Sequence, residues 1–138
     1  MPVDRKKVSR MNVTEGRKEI AHAIKGMSVS KSIQELVEIR KLIESDPLKK
    51  NELMFHGIQL LQEKVKKNDI PSLIDMLDSL EYPRRGGETR AAYFGIFRTV
   101  SAKIKELSGV EGIEKQIPSE EDVTEYIQRI RNWWESHK

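Results

Sequence analysis

Between Tyr82 and Lys105 the chain reads YPRRGGETRAAYFGIFRTVSAKIK, with six basic residues and a single acid, Glu88. Arg84 and Arg85 precede a Gly-Gly pair, and a helical pattern follows. A helix N-terminus offers free backbone N–H groups and the positive end of the helix dipole, which favours an anion there. Gly86 and Gly87 permit close backbone approach. At about 100° per residue, Arg90, Phe94, Arg98, Ser101 and Lys105 share one sector, adjacent to the apolar sector of Tyr93, Ile96, Phe97, Val100, Ile104 and Leu107. Arginine suits phosphate because its planar fork holds two oxygens at once. An exposed Phe94 ring would add a stacking surface for a base. The chemistry expected here is capture of phosphates.

The start of the chain points the same way. Residues 1–27 carry seven bases and three acids, including Arg5, Lys6, Lys7 and Arg10, while the other 111 residues sum to a net −1. A basic arm over residues 1–12, partly flexible, is expected ahead of a helical domain over 13–138, and such an arm commonly meets a polyanion. The expected partner is therefore a nucleic acid, DNA or RNA, recognised through its backbone. Few side chains suited to reading base edges cluster with the arginines. No cofactor is expected and no enzyme activity is needed for this role.

Other chemistry is scarce. The chain has no cysteine, which excludes disulfides, thiolate zinc sites and cysteine nucleophiles. It contains no GxxxxGK[ST] phosphate loop and no GxGxxG. His22, His56 and His137 lie on separate segments without metal-ligand spacing, so no metal is expected. Glu120, Glu121 and Asp122 read as first-turn charges of the last helix. The segment RNWWESH, Arg131 to His137, resembles the R-N-x-x-x-x-H signature of HEPN ribonucleases. Those are small helical bundles that cleave RNA without metal at a dimer interface. The resemblance would give Arg131, Asn132 and His137 the catalytic roles. Tyr126 and Trp133 form an edge on the same segment that could meet a protein partner or a second copy of the chain.

The elements that must position these residues are helices throughout. Apolar residues recur with helical spacing, and no alternating strand pattern is present. The spacing predicts helices over about 13–26, from the serines near 28–32 to about Glu44, from Pro47 into KVKKN, over 70–80, over 88–107, and from Ser119 onward. Ser32 and Glu35 fit a capping box, with Ser28 and Ser30 as alternative starts. Asp46 and Pro47 open the third of these helices, and Asn68 can take the left-handed cap after it. Gly57 and Gly95 fall inside helices, which points to close helix contact, with one another as one option. The fold expected is an all-α, single-domain bundle of five or six helices. No apolar run approaches the ~20 residues that span a bilayer. MPVDRKKVSRMNV lacks a signal-type apolar stretch, so a cytoplasmic location without membrane contact is expected.

Overall fold

The computed structural model describes residues 4–43, 46–84 and 86–138. Among them are seven α-helices and no strand: α1 (Arg5–Arg10), α2 (Val13–Ile24), α3 (Val29–Leu42), α4 (Pro47–Leu61), α5 (Ile70–Ser79), α6 (Glu88–Ser108) and α7 (Glu120–His137). The all-α expectation holds. The count exceeds five or six because residues 5–10, expected as part of an arm, form a helix of their own. Asp4 caps α1 by accepting from the Lys7 N–H at 3.0 Å, and Val8 is buried in the core. None of the described helices is long and apolar enough to cross a membrane.

Short side-chain acceptors set most helix starts. Asn12, Ser28, Asp46 and Ser119 each accept a backbone N–H three residues ahead. Ser119 and Asp122 complete a reciprocal capping box, and the Ser119 N–H holds the Asp122 carboxyl below its ordinary range. The expected box at Ser32 and Glu35 is not the start of α3. Ser28 caps that helix, Ser32 is fully buried within it, and Glu35 is engaged elsewhere. α4 ends at Leu61, earlier than expected, and Asn68 lies in a 3-10 turn (Lys67–Asp69) without a left-handed backbone. Lysines 64, 66 and 67 therefore follow α4 instead of sitting on its last turn.

The bundle is organised around α4. It packs against α2, α3 and α6, and its interface with α6 is the most extensive. α5 bridges α3 and α6 to α7. One continuous apolar core links all seven helices, from Val8 to Ile130. Leu53, Met54, Ile58 and Leu61 of α4, and Val65 just after it, are buried throughout, as are Ile70, Leu73, Ile74, Leu77 and Leu80. Leu42, whose helical spacing with Ile39 points inward, is 44% exposed at the end of α3. Gly57 and Gly95 do mark close contact, but not with each other. A Cβ at Gly57 would overlap Leu36 of α3, and one at Gly95 would overlap the Phe55 ring of α4.

Candidate phosphate-binding surface

The cations expected to form one strip have separate fates. Arg5 is bound by the Glu35 carboxylate in a two-pronged pair, Nε to Oε2 at 2.8 Å and Nη2 to Oε1 at 2.7 Å. This fastens α1 to α3. Lys7 lies 4.0 Å from Glu19, at the edge of pairing distance. Lys6 and Arg10 are exposed, and no carboxylate pairs with either among the described residues. Arg85 lies outside the described residues.

Along α6 the strip is largely occupied. The chain after α6 runs back over it: Arg98 donates to the Gln116 carbonyl, and Lys105 pairs with Glu111 at 3.0 Å. Arg129 of α7 reaches the Glu111 carbonyl at 2.8 Å. Val110 and Ile113 of this loop pack on the core, and Pro118 is buried. The loop thus lies where a backbone ligand would have to lie. Phe94 is no stacking platform. It is 4% exposed, held edge-on by Tyr82 and Tyr93 at 6.0 and 5.1 Å, with the Arg90 and Arg98 guanidiniums over its ring at 5.9 and 6.0 Å. An aromatic ring between two cations on one helix face has a lower-energy alternative to exposure. It joins the core and lets the guanidiniums cover it.

A different basic cluster lies at the start of α4. Lys49 Nζ donates to the Ser9 carbonyl at 2.7 Å, so the last turn of α1 meets the first turn of α4. Lys50, one residue on, lines a cleft of about 710 Å³ together with Arg84 and Arg40. Arg40 is the unusual member. It is 8% exposed, and its Nε and Nη2 both donate to Asn51 Oδ1 at 3.3 Å, longer than the usual ~2.9–3.0 Å. Asn51, itself 3% exposed, passes the link to α6 by donating to the Thr89 carbonyl at 3.4 Å. No described carboxylate lies within 4 Å of Arg40. Burial pulls its pKa down, only partly offset by the more distant Glu81 and by Tyr93. The neighbouring Tyr93 hydroxyl, buried in turn, is pushed up to about 12.

Lys49, Lys50, Arg40 and Asn51 were all missed at the level of sequence. Signals existed for each. Lys49 and Lys50 stand in the first turn of a helix, where the dipole favours acids. On the helical wheel Arg40 falls between Ile33 and Leu36, and Asn51 falls with Met54, Ile58 and Leu61. A charged or amide side chain inside an apolar sector marks a buried polar group that must find a partner.

The residues of the ribonuclease-like signature are engaged separately. Arg131 pairs with Asp78 at 2.9 Å and lies 3.9 Å from Asp75, both on α5. His137 Nδ1 lies 2.7 Å from the Trp133 carbonyl, and its ring stacks on Trp133 with centroids 4.5 Å apart. Asn132 is exposed and accepts from Gln128 at 3.0 Å. Tyr126, expected at a contact edge, is 1% exposed and packs edge-on against Phe97. It cannot offer a surface in this fold. Trp133 is half-buried, with Lys67 Nζ 5.4 Å from its ring. Among the described residues no group of histidines and acids is arranged to hold a metal ion.

The Arg5–Glu35 pair carries a pH dependence. The Arg5 hydrogen bonds, with Lys31 nearby, hold the Glu35 carboxyl below its ordinary 4.5. A lowered carboxylate contributes stability that is complete above the ordinary value and is lost as pH falls through the folded one. The docking of α1 should therefore weaken below about pH 4.5. Methyl resonances of Val8, followed from neutral to acid pH, should lose their dispersion before those of Ile130. Glu35→Gln should lower α1 docking at neutral pH and flatten the acid response. A parent and variant with the same pH profile would rule out Glu35 as the source.

No family model, no curated protein and no solved structure matches this chain.

Proposed function

We propose that this domain binds the phosphate backbone of a nucleic acid, DNA or RNA, without catalysis. The contacting cations are Lys6 and Arg10 of α1, Lys50 of α4 and Arg84 ahead of α6, with Lys49 tying α1 to α4. The observation that carries this reading is the 2.7 Å bond from Lys49 to the Ser9 carbonyl. It joins two basic segments 40 residues apart in sequence, and Lys50 continues the patch into the cleft that Arg84 also lines. The surface is narrower than the strip expected from sequence, because Arg5, Arg98 and Lys105 have partners within the chain. Few groups suited to base edges accompany the cations, so the mode is backbone contact with little sequence preference.

Binding of a labelled duplex and a labelled single strand at rising salt tests it. Each phosphate contact adds roughly −0.9 to the slope of log K against log salt on duplex DNA. Lys50→Glu with Arg84→Glu should weaken binding at least tenfold at low salt and flatten that slope by about 2. Both side chains are outside the core, so the fold should survive the change. Absence of binding at low salt, or affinity unmoved by the double charge reversal, would remove the proposal.

A further inference from the structure

We infer that the cleft between α3, α4 and the start of α6 is a site for a phosphate monoester, with the phosphate seated between Arg40, Lys50 and Arg84. Three observations meet there. First, Arg40 is a nine-tenths buried cation whose hydrogen bonds are long and whose only described acceptor is an amide oxygen. Its remaining N–H groups have no described acceptor and are not sealed from solvent, so a doubly charged phosphate in the cleft would replace water on them. Second, α6 opens at Gly87, with φ 85° and no side-chain cap, and Thr89 of its first turn lines the same cleft. Its first-turn N–H groups have no side-chain acceptor among the described residues. Third, the space is about 710 Å³, the size of a small-molecule site.

The walls say what the phosphate is attached to. Leu80, Tyr82 and Pro83 form an apolar side. Tyr82 is fixed there by donating its hydroxyl to the Pro118 carbonyl and by edge contacts to Tyr93 and Phe94. Glu81 and Glu120, both exposed, also line the cleft and would accept hydrogen bonds from hydroxyl or amino groups on the ligand body. These carboxylates would repel a second phosphate, so the site fits one terminal phosphate on a polar organic body. That chemistry occurs in a free sugar or nucleoside monophosphate and at the phosphorylated end of a nucleic acid strand.

This inference shares an end of the molecule with the backbone-binding reading but does not need a polymer. The experiment titrates the isotope-labelled chain with inorganic phosphate, with a nucleoside 5′-monophosphate, and with one oligonucleotide carrying either a 5′-phosphate or a 5′-hydroxyl. Expected are saturable shifts of the Asn51 side-chain amide, the Arg40 Nε–H and the Thr89 N–H by millimolar phosphate or ester, with sulfate-free buffer of matched ionic strength as control. The 5′-phosphorylated strand should bind at least tenfold more tightly than its hydroxyl form if the strand end is the source. If only the free monophosphate saturates these signals, the source is a small ester. Arg84→Gln, at an exposed cleft position, should weaken either mode about tenfold without unfolding the chain. Arg40→Lys keeps the charge and removes the fork, and should do the same. Small esters that bind while neither strand does would leave the cleft standing and remove the backbone reading. Strands that bind equally with either end, while phosphate and monophosphate leave the three signals unmoved, would remove the cleft and leave the backbone reading intact.

Discussion

Asn51→Leu should destabilise the fold by about 2–3 kcal/mol, and adding Arg40→Met to it should recover most of the loss. Asn51 is the sole described acceptor for the buried Arg40 guanidinium, and it also donates to α6 through the Thr89 carbonyl. Leucine branches at the same atom and has the same number of side-chain heavy atoms, though its methyls take more room, so some overpacking adds to the loss. What changes is that a buried cation loses its acceptor, and hydrogen bonds to charged groups of this kind contribute roughly 1.5–3 kcal/mol. Replacing both members with apolar side chains of similar shape removes the desolvated charge together with its partner, which is commonly near neutral or favourable. Denaturant midpoints of the parent, both single variants and the double variant give the coupling directly. Equal losses in the single and double variants would show that Arg40 is satisfied by other groups. The double variant also separates stability from binding: it should be well folded yet fail to take up a phosphate ester.

The other large effect lies on the buried face of α6. Ile96 is 0% exposed at the middle of α6. Its truncation to alanine should cost about 3–4 kcal/mol, the lost transfer energy plus the cavity left behind. Against a total stability of roughly 5–15 kcal/mol that is a large share, and it should lower the thermal midpoint by roughly 10 °C. Leu42→Ala makes the contrast. The spacing of Leu42 from Ile39 points inward, but Leu42 is 44% exposed, so its truncation should stay within about 0.5 kcal/mol. Midpoints from calorimetry on the two variants check this. Similar losses at both positions would mean that the α3 end is packed more tightly than the exposure indicates.

The contrast between Ile96 and Leu42 shows where sequence reading succeeds. Apolar residues in the middle of a long helix repeat often enough to fix the phase of the buried face, as for Tyr93, Ile96, Phe97, Val100 and Ile104. At helix ends the phase is set by where the chain turns, and Leu42 is the last residue of α3. α1 was hidden for a related reason. Six residues carry only one apolar side chain, Val8, so periodicity has nothing to repeat, although Asp4 and Asn12 stood as caps on either side. The functional strip failed on a tertiary fact. Arg98 and Lys105 share a helix face as the wheel requires, but the destination of the loop after α6 is not written in that helix. The carbonyl of Gln116 and the carboxylate of Glu111 reach them only once the loop folds back. Arg40 and Asn51 were legible in principle, as polar residues out of place in apolar sectors, because burial of such groups obeys local pattern.

Both tryptophans of the chain lie on α7, Trp133 stacked on the His137 imidazole and Trp134 in a groove with Pro71 and Ile74. Glu120, at the other end of the same helix, borders the Arg40 cleft. At 1.5 Å per residue the indoles stand about 20 Å along the helix from that cleft. Selectively excited tryptophan emission is therefore a local optical gauge of how α7 seats on α5, and it is nearly blind to anything that loads between α3 and α6. An emission trace that stays flat on adding a ligand says nothing about occupancy there, and a fluorophore placed near Arg84 would be needed to see it.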